Sequence, residues 1–201
     1  MISVSVPVLT TERLTLRAQR PDDFEAYAAF YASERSWGMG GPLDRPTAWR
    51  GFAAELGHWV IRGYGFWMVD VTATGETIGL VGLWNPEGWS EVEIGWAMYE
   101  AAEGKGYAAE AAIAVRIYAY DTLGWGPLSS VIVPDNTRSQ ALATRLGATP
   151  ERDWVSPGGT SAVIWRHPGR EAVTISGGTD QLPASGGTEQ LPASGGTEAR
   201  A

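Results

Sequence analysis

Cysteine is absent from the 201 residues, which excludes disulfides and makes a reducing compartment comfortable. No apolar run approaches the length of a membrane span. Residues 1–8 lack the basic start and long apolar core of a signal peptide, so a cytoplasmic, soluble protein is expected. Positive charge is scarce. A net charge of −8 argues against a general nucleic-acid or anionic-membrane binder. Histidine is rarer still: His58 and His167 fall far apart, pair into no metal or nucleophile set and read as ordinary residues. What the chain has in quantity is apolar surface. At 44% hydrophobic residues it can build one domain with a real core, and not obviously two.

The stretch Glu103-Gly104-Lys105-Gly106-Tyr107-Ala108-Ala109-Glu110 organises the reading. Before it, 92–98 alternates large apolar residues with small or charged ones and reads as a strand. After it, 108–120 is rich in alanine with apolar residues at helical spacing. The glycines thus stand where a strand hands over to a helix. The first turn of a helix has N–H groups without intrahelical partners and carries partial positive charge. Glycine lets a ligand reach those groups, and Lys105 adds a full charge, so the stretch reads as an anion seat. A phosphate-binding P-loop is excluded, because Tyr99 and Gly106 stand where it needs glycine and Ser or Thr. Gly104-x-Gly106-x-x-Ala109 meets a loose dinucleotide fingerprint. That fingerprint follows its strand directly, whereas several residues intervene here, and no acidic residue ends a second strand downstream.

From Glu103 through Ala108 the stretch resembles Arg/Gln-x-x-Gly-x-Gly/Ala, the pyrophosphate-binding loop of the GNAT N-acetyltransferase superfamily. The longer Gly-Lys-Gly-Tyr-Ala-x-Glu wording is similar to the RimJ/RimL-like branch. The first position departs from the pattern, being Glu103 rather than Arg or Gln. The resemblance covers about residues 10–167. It implies an α/β (α+β) GNAT fold: a mixed, mostly antiparallel central sheet splayed between its fourth and fifth strands and flanked by helices.

The local patterns agree with that order. Strands are expected at 11–17, 65–71, 77–84, 91–98, 128–133, 151–155 and 161–167. Helices are expected at 21–33, with an apolar stripe of Phe24, Tyr27, Phe30 and Tyr31, at 47–62, with Phe52, Leu56, Trp59 and Val60, at 108–120, and at 137–146. Residues 36–46 read as a loop. The domain is set at 1–168. Residues 169–201 repeat Gly-Gly-Thr-x-Gln-Leu-Pro-Ala-Ser with few apolar residues and read as a disordered tail.

The resemblance implies transfer of acetyl from acetyl-CoA, a cosubstrate, to an amine, with no metal. The pyrophosphate would sit on Gly104, Lys105, Gly106, Tyr107, Ala108 and Ala109. The pantetheine arm would lie along Trp96, Ala97 and Met98 at the splayed edge, where a backbone N–H also stabilises a developing oxyanion. Asn136 and Arg138, at the start of the last helix, would meet the cofactor, though a solvated Arg138 and a merely capping Asn136 fit the sequence as well. Glu91 and Glu93 share a strand face with Gly95 and Ala97. Glu93, in Glu-Ile-Gly-Trp, matches the segment carrying the base glutamate of the histone-acetylating branch; a structural carboxylate pinning a loop is the other reading. The family's usual tyrosine acid falls at Ala143, and Ser139 resembles the serine given that role in RimL-type enzymes. Its other reading is a plain hydrogen bond. A thiol pKa of about 8.5 makes a dedicated acid dispensable. Trp37, Trp84 and Trp89 fall where they would wall an acceptor pocket, with Met39, Gly40, Gly41 and the 151–160 hairpin.

The expected partner is an amine, either a peptide N-terminus or a small molecule, without nucleic acid or membrane, in a monomer or homodimer. An α-amine, with a pKa near about 8, deprotonates more easily than a lysine near about 10.4. Two rivals stay open: a CoA-binding regulatory or interaction module with weak catalysis, and a nucleotide-dependent oxidoreductase.

Overall fold

The computed structural model describes residues 4–172 and 185–190. Its strands are β1 (Ser5–Thr10), β2 (Leu14–Arg17), β3 (Phe66–Val71), β4 (Thr77–Trp84), β5 (Glu93–Met98), β6 (Ser129–Ile132), β7 (Thr149–Val155), β8 (Ser161–Arg166) and β9 (Ser185–Gln190). Its helices are α1 (Phe24–Ala32), α2 (Arg45–Arg62), α3 (Tyr107–Ile117) and α4 (Thr137–Arg145). The strands form one sheet in the order β7-β8-β6-β5-β4-β3-β2-β1-β9. Every neighbouring pair is antiparallel except β5 and β6, whose parallel register consists of Glu93 opposite Ser129 alone. The fourth and fifth strands expected from sequence are β5 and β6, and the sheet parts between them.

Strand alternation loads the two faces differently. Trp67, Val69, Val81, Leu83 and Ile94 pack against Ala111, Ala112 and Val115 of α3, whose small side chains let the helix lie close. Phe66, Met68, Leu80 and Ala97 face α1 and α2, meeting Phe24, Tyr27, Phe30, Tyr31 and Phe52. The α1 stripe is therefore the one its sequence predicts. On α2 the buried positions are Ala48, Phe52, Glu55, His58 and Trp59, while Val60 is 44% exposed. Phe52 and Trp59 of the expected stripe are thus buried and Val60 is not, while a carboxyl and an imidazole occupy inward positions that an apolar template skips.

Three further elements differ from expectation. β1 was not anticipated; it carries Pro7 at a bulge, a residue that weakens any strand reading. Residues 34–39, read mostly as loop, wind into 3-10 turns closed by Gly40. Of the tail read as disordered, β9 pairs antiparallel with β1, and most of the remainder lies outside the described residues. No helix among the described residues is long and apolar enough to cross a membrane.

A buried ion cluster joins the sheet to the start of α1. The Arg17 guanidinium donates to both Asp70 oxygens at 2.6 and 3.0 Å and to both Asp23 oxygens at 2.8 Å. It donates also to Thr77 Oγ1 at 2.9 Å. All three charged residues are buried. Removing one partner strands a buried charge, which typically costs about 3–5 kcal/mol. Asp23→Ala is therefore expected to lose about that much in urea unfolding. A loss below about 1 kcal/mol, the range of an exposed pair, would show that the cluster does not tie α1 down.

Candidate active site

Where β5 and β6 part, a cavity of about 800 Å³ opens, walled by α1, α2, the 34–39 turns and the start of α3 and α4. The parting is visible in hydrogen bonds. Ile94 O accepts from Ser130 Oγ at 2.7 Å, so its carbonyl points toward β6. Backbone groups two residues apart share a direction, so the N–H and C=O of Trp96, and the N–H of Met98, also face the gap. The Ala97 carbonyl is turned the other way, against Gly79 of β4. Of the three residues expected along a cofactor arm, Trp96 and Met98 offer free backbone edge, while the Ala97 backbone belongs to β4.

The glycine turn before α3 forms as its sequence requires. Gly104 and Gly106 have φ of 74° and 81°, a region that side chains disfavour. Gly106 caps α3, no side chain bonds to this end of the helix, and Tyr107, Ala108 and Ala109 line the cavity. Their N–H groups are the ones a helix start leaves without intrahelical partners. The seat is braced from behind. Glu110 accepts from the Arg13 N–H at 2.9 Å, Arg13 Nε at 2.7 Å and Thr11 Oγ1 at 2.6 Å. Arg13 Nη1 in turn donates to Lys105 O at 3.1 Å. Lys105, the single lysine of the chain, is exposed and does not line the cavity.

Glu103, the departure from the loop pattern, joins three elements. It accepts from Arg138 Nη1 of α4 at 2.8 and 2.9 Å and forms an ion pair with Arg35 in the 34–39 turns. All three side chains line the cavity. Sequence reasoning missed Arg35, which has no motif around it and reaches the seat only through the fold. Asn136 caps α4, its Oδ1 accepting the Ser139 N–H at 3.1 Å. Ser139 Oγ accepts Trp96 Nε1 at 3.3 Å, which leaves its own proton free to donate. Ala143 is fully buried beneath.

Glu93 stands at the apex of the parting. Oε2 accepts the Val131 N–H at 2.8 Å and Oε1 accepts Trp89 Nε1 at 3.0 Å. It is 9% exposed, and burial, only partly offset by those two donors, pushes its pKa up to about 7. The carboxylate pins the 85–92 loop through Trp89, and it also lines the cavity. Glu91 is not its companion, because it lies outside β5, with Arg152 and Arg166 holding it at 2.5–3.0 Å. Trp37, Trp84, Trp89, Met39, Gly40 and Trp154 line the same cavity, while Gly41 does not. The histidines are structural. His58 Nδ1 lies 2.6 Å from Tyr64 O, and His167 is buried between Arg116 and Ser130.

A strand pair that parts beside a glycine-capped helix start, with a buried carboxyl where the strands separate, leaves an open cavity with free backbone groups on its walls. Residues 13–149 match the family model of the acetyltransferase (GNAT) domain, and the chain belongs to that family. An acetyltransferase from Agrobacterium tumefaciens is 43% identical, with a TM-score of 0.76 over 82% of this chain and 95% of that one. The uncharacterized protein YkkB of Bacillus subtilis is 31% identical over 103 residues, 48% of this chain and 60% of that protein. RimL, a ribosomal L7/L12 alpha-N-protein acetyltransferase solved with CoA, shares the fold at 16% identity and a TM-score of 0.63, over 80% of this chain and 97% of its own.

The donor set fits a diphosphate: three open N–H groups at a positive helix end, with two arginines at the rim. Glu103 now occupies both arginines and places a negative charge beside that seat. Replacing it with neutral glutamine is expected to tighten CoA binding severalfold, a gain of about 1 kcal/mol. Calorimetric titration of Glu103→Gln checks this, and weaker binding would mean that Glu103 orders the seat instead.

Proposed function

We propose that the protein is an acetyl-CoA-dependent N-acetyltransferase that acetylates a primary amine, a protein N-terminal α-amine or a small-molecule amine, by direct attack in a ternary complex. The observation that carries this reading is the position of Glu93. Its carboxyl lines the cavity on the sheet face turned toward α1 and α2, beside the strand edge suited to the donor's arm. The α-amine alternative is supported by the fold shared with RimL; the aromatic walls support a small molecule.

Acetyl-CoA supplies the activated acyl group as a thioester. The first-turn N–H groups of Tyr107, Ala108 and Ala109, with Arg35 and Arg138, hold its diphosphate. The edge groups of Trp96 and Met98 hold its arm as an added strand would be held. The Trp96 N–H is placed to donate to the carbonyl oxygen as negative charge develops there. Glu93, ionised, takes the proton of the acceptor ammonium, directly or through a water. The amine nitrogen then bonds to the acetyl carbon as the carbon–sulfur bond breaks, and the second proton it sheds replaces, through Ser139 or solvent, the one the thiolate takes up. The leaving thiolate takes a proton from Ser139, whose hydroxyl is free to donate, or from solvent. A second reading, a CoA-binding module with weak catalysis, draws on Ala143, which leaves the family's acid position without a proton.

Because the base must be ionised, the rate should rise as pH rises through about 7 and then level off. Thiol release with a panel of amines is expected to show that profile. Glu93→Gln should lose about 100-fold at the plateau and the pH dependence with it. Full rate in Glu93→Gln across this range would remove Glu93 as the base. Stabilisation by acetyl-CoA without thiol release from any amine would favour the binding module.

A further inference from the structure

Besides Glu93 and Glu103, a third carboxyl lines the cavity, and neither the motif nor the reaction uses it. Glu55 lies on the inward stripe of α2 and is 6% exposed. Oε1 accepts the Tyr27 hydroxyl and Oε2 accepts Gln19 Nε2, both at 2.9 Å. Both partners are neutral, and burial pushes the Glu55 pKa up to about 8. Neither partner carries a positive charge, so the Glu55 carboxylate, once ionised, is a buried charge without a counterion among its hydrogen-bond partners. A cationic group entering the cavity would supply one.

The walls say what would carry that group. Tyr27, Phe30, Tyr31, Phe66 and Trp84 line the cavity on this side. Apolar and aromatic surface suits an alkyl or aromatic body, and aromatic faces attract cations. A peptide backbone would need polar partners along its length, and these five side chains offer hydroxyls at only two points. Resting on the N-acetyltransferase reading above, we propose that Glu55 anchors a second cationic nitrogen of the acceptor, so that the substrate is a small dication, a primary amine joined through an apolar spacer to another protonated nitrogen. Glu93 then serves the reacting nitrogen and Glu55 the distal one.

The test uses the full chain, acetyl-CoA, and two probes of equal length: an α,ω-diaminoalkane and the monoamine with a methyl group in place of its second nitrogen. The wild type should turn over the diamine with the higher kcat/KM. In Glu55→Gln the ratio of the two kcat/KM values should fall by about thirtyfold, the lower range for losing one partner of a desolvated charge pair. The loss should lie mainly in KM. Tyr27→Phe removes a hydroxyl but keeps the carboxyl, and should keep most of the preference. An equal loss with both amines, or no preference in the wild type, would make Glu55 structural and overturn the proposal. The wild-type comparison decides even if Glu55→Gln fails to fold. Acetyl-CoA thermal shifts separate this from the reading beneath it. Stabilisation by acetyl-CoA with no diamine preference rejects only the anchor; no stabilisation rejects the donor site itself.

Discussion

One substitution of partners governs the site: at Val131 the backbone N–H donates to a side-chain carboxylate instead of to the neighbouring strand. A parallel ladder would continue from Glu93 and Ser129 along β5 and β6. Glu93 takes the next donor for itself, and Ser130 Oγ takes the carbonyl of Ile94. The ladder stops after one pair without orphaning either group, and the two strands are free to diverge. Everything functional follows from that divergence. It exposes the backbone edge of Trp96 and Met98, opens the cavity, and leaves the Glu93 carboxyl on the cavity wall.

The same economy explains why so many charges sit where an apolar side chain would be more stable. Glu93 and Glu55 are buried with neutral partners, so each favours its protonated form near neutral pH. For a carboxyl whose pKa is raised by folding, stability is full below the unfolded value and falls as pH rises through the folded one. Both residues therefore weaken the fold at mildly alkaline pH, where catalysis would want Glu93 ionised. The Arg17 cluster is the opposite case, since its charges are mutually paired and never enter the cavity. Glu103 lies between the two. It keeps Arg35 and Arg138 together at the cavity rim.

Much of this was legible in the residues, and the failures have physical reasons. The glycine-rich turn, the alternation of 92–98 and the alanine-rich helix are local signals, and they placed the glycine turn, β5 and the start of α3 within a residue or two. Glu93 was singled out because Glu-Ile-Gly-Trp resembles the segment that carries a base glutamate; alternation alone offered Glu91 equally. On α2, Phe52 and Trp59 were legible, but a hydrophobic template passes over Glu55, although an acidic residue at the spacing of Ala48, Phe52 and Trp59 was itself the signal. Arg35 and the Arg13–Glu110 brace could not be read, since they meet their partners across 68 and 97 residues of chain. Ala97 was placed at the open edge with Trp96 and Met98. Which of three consecutive backbones faces a gap depends on register, and register is settled by pairing with β4.

In the proposed function, an open strand edge and the glycine-capped start of α3 grip one ligand together. Amide hydrogen exchange, with and without CoA, tests that grip directly. The amides of Trp96, Met98, Tyr107, Ala108 and Ala109 should slow together when CoA is added, while those between β3 and β4 stay unchanged. Saturating CoA that leaves Trp96 and Met98 exchanging at their free rates would contradict it.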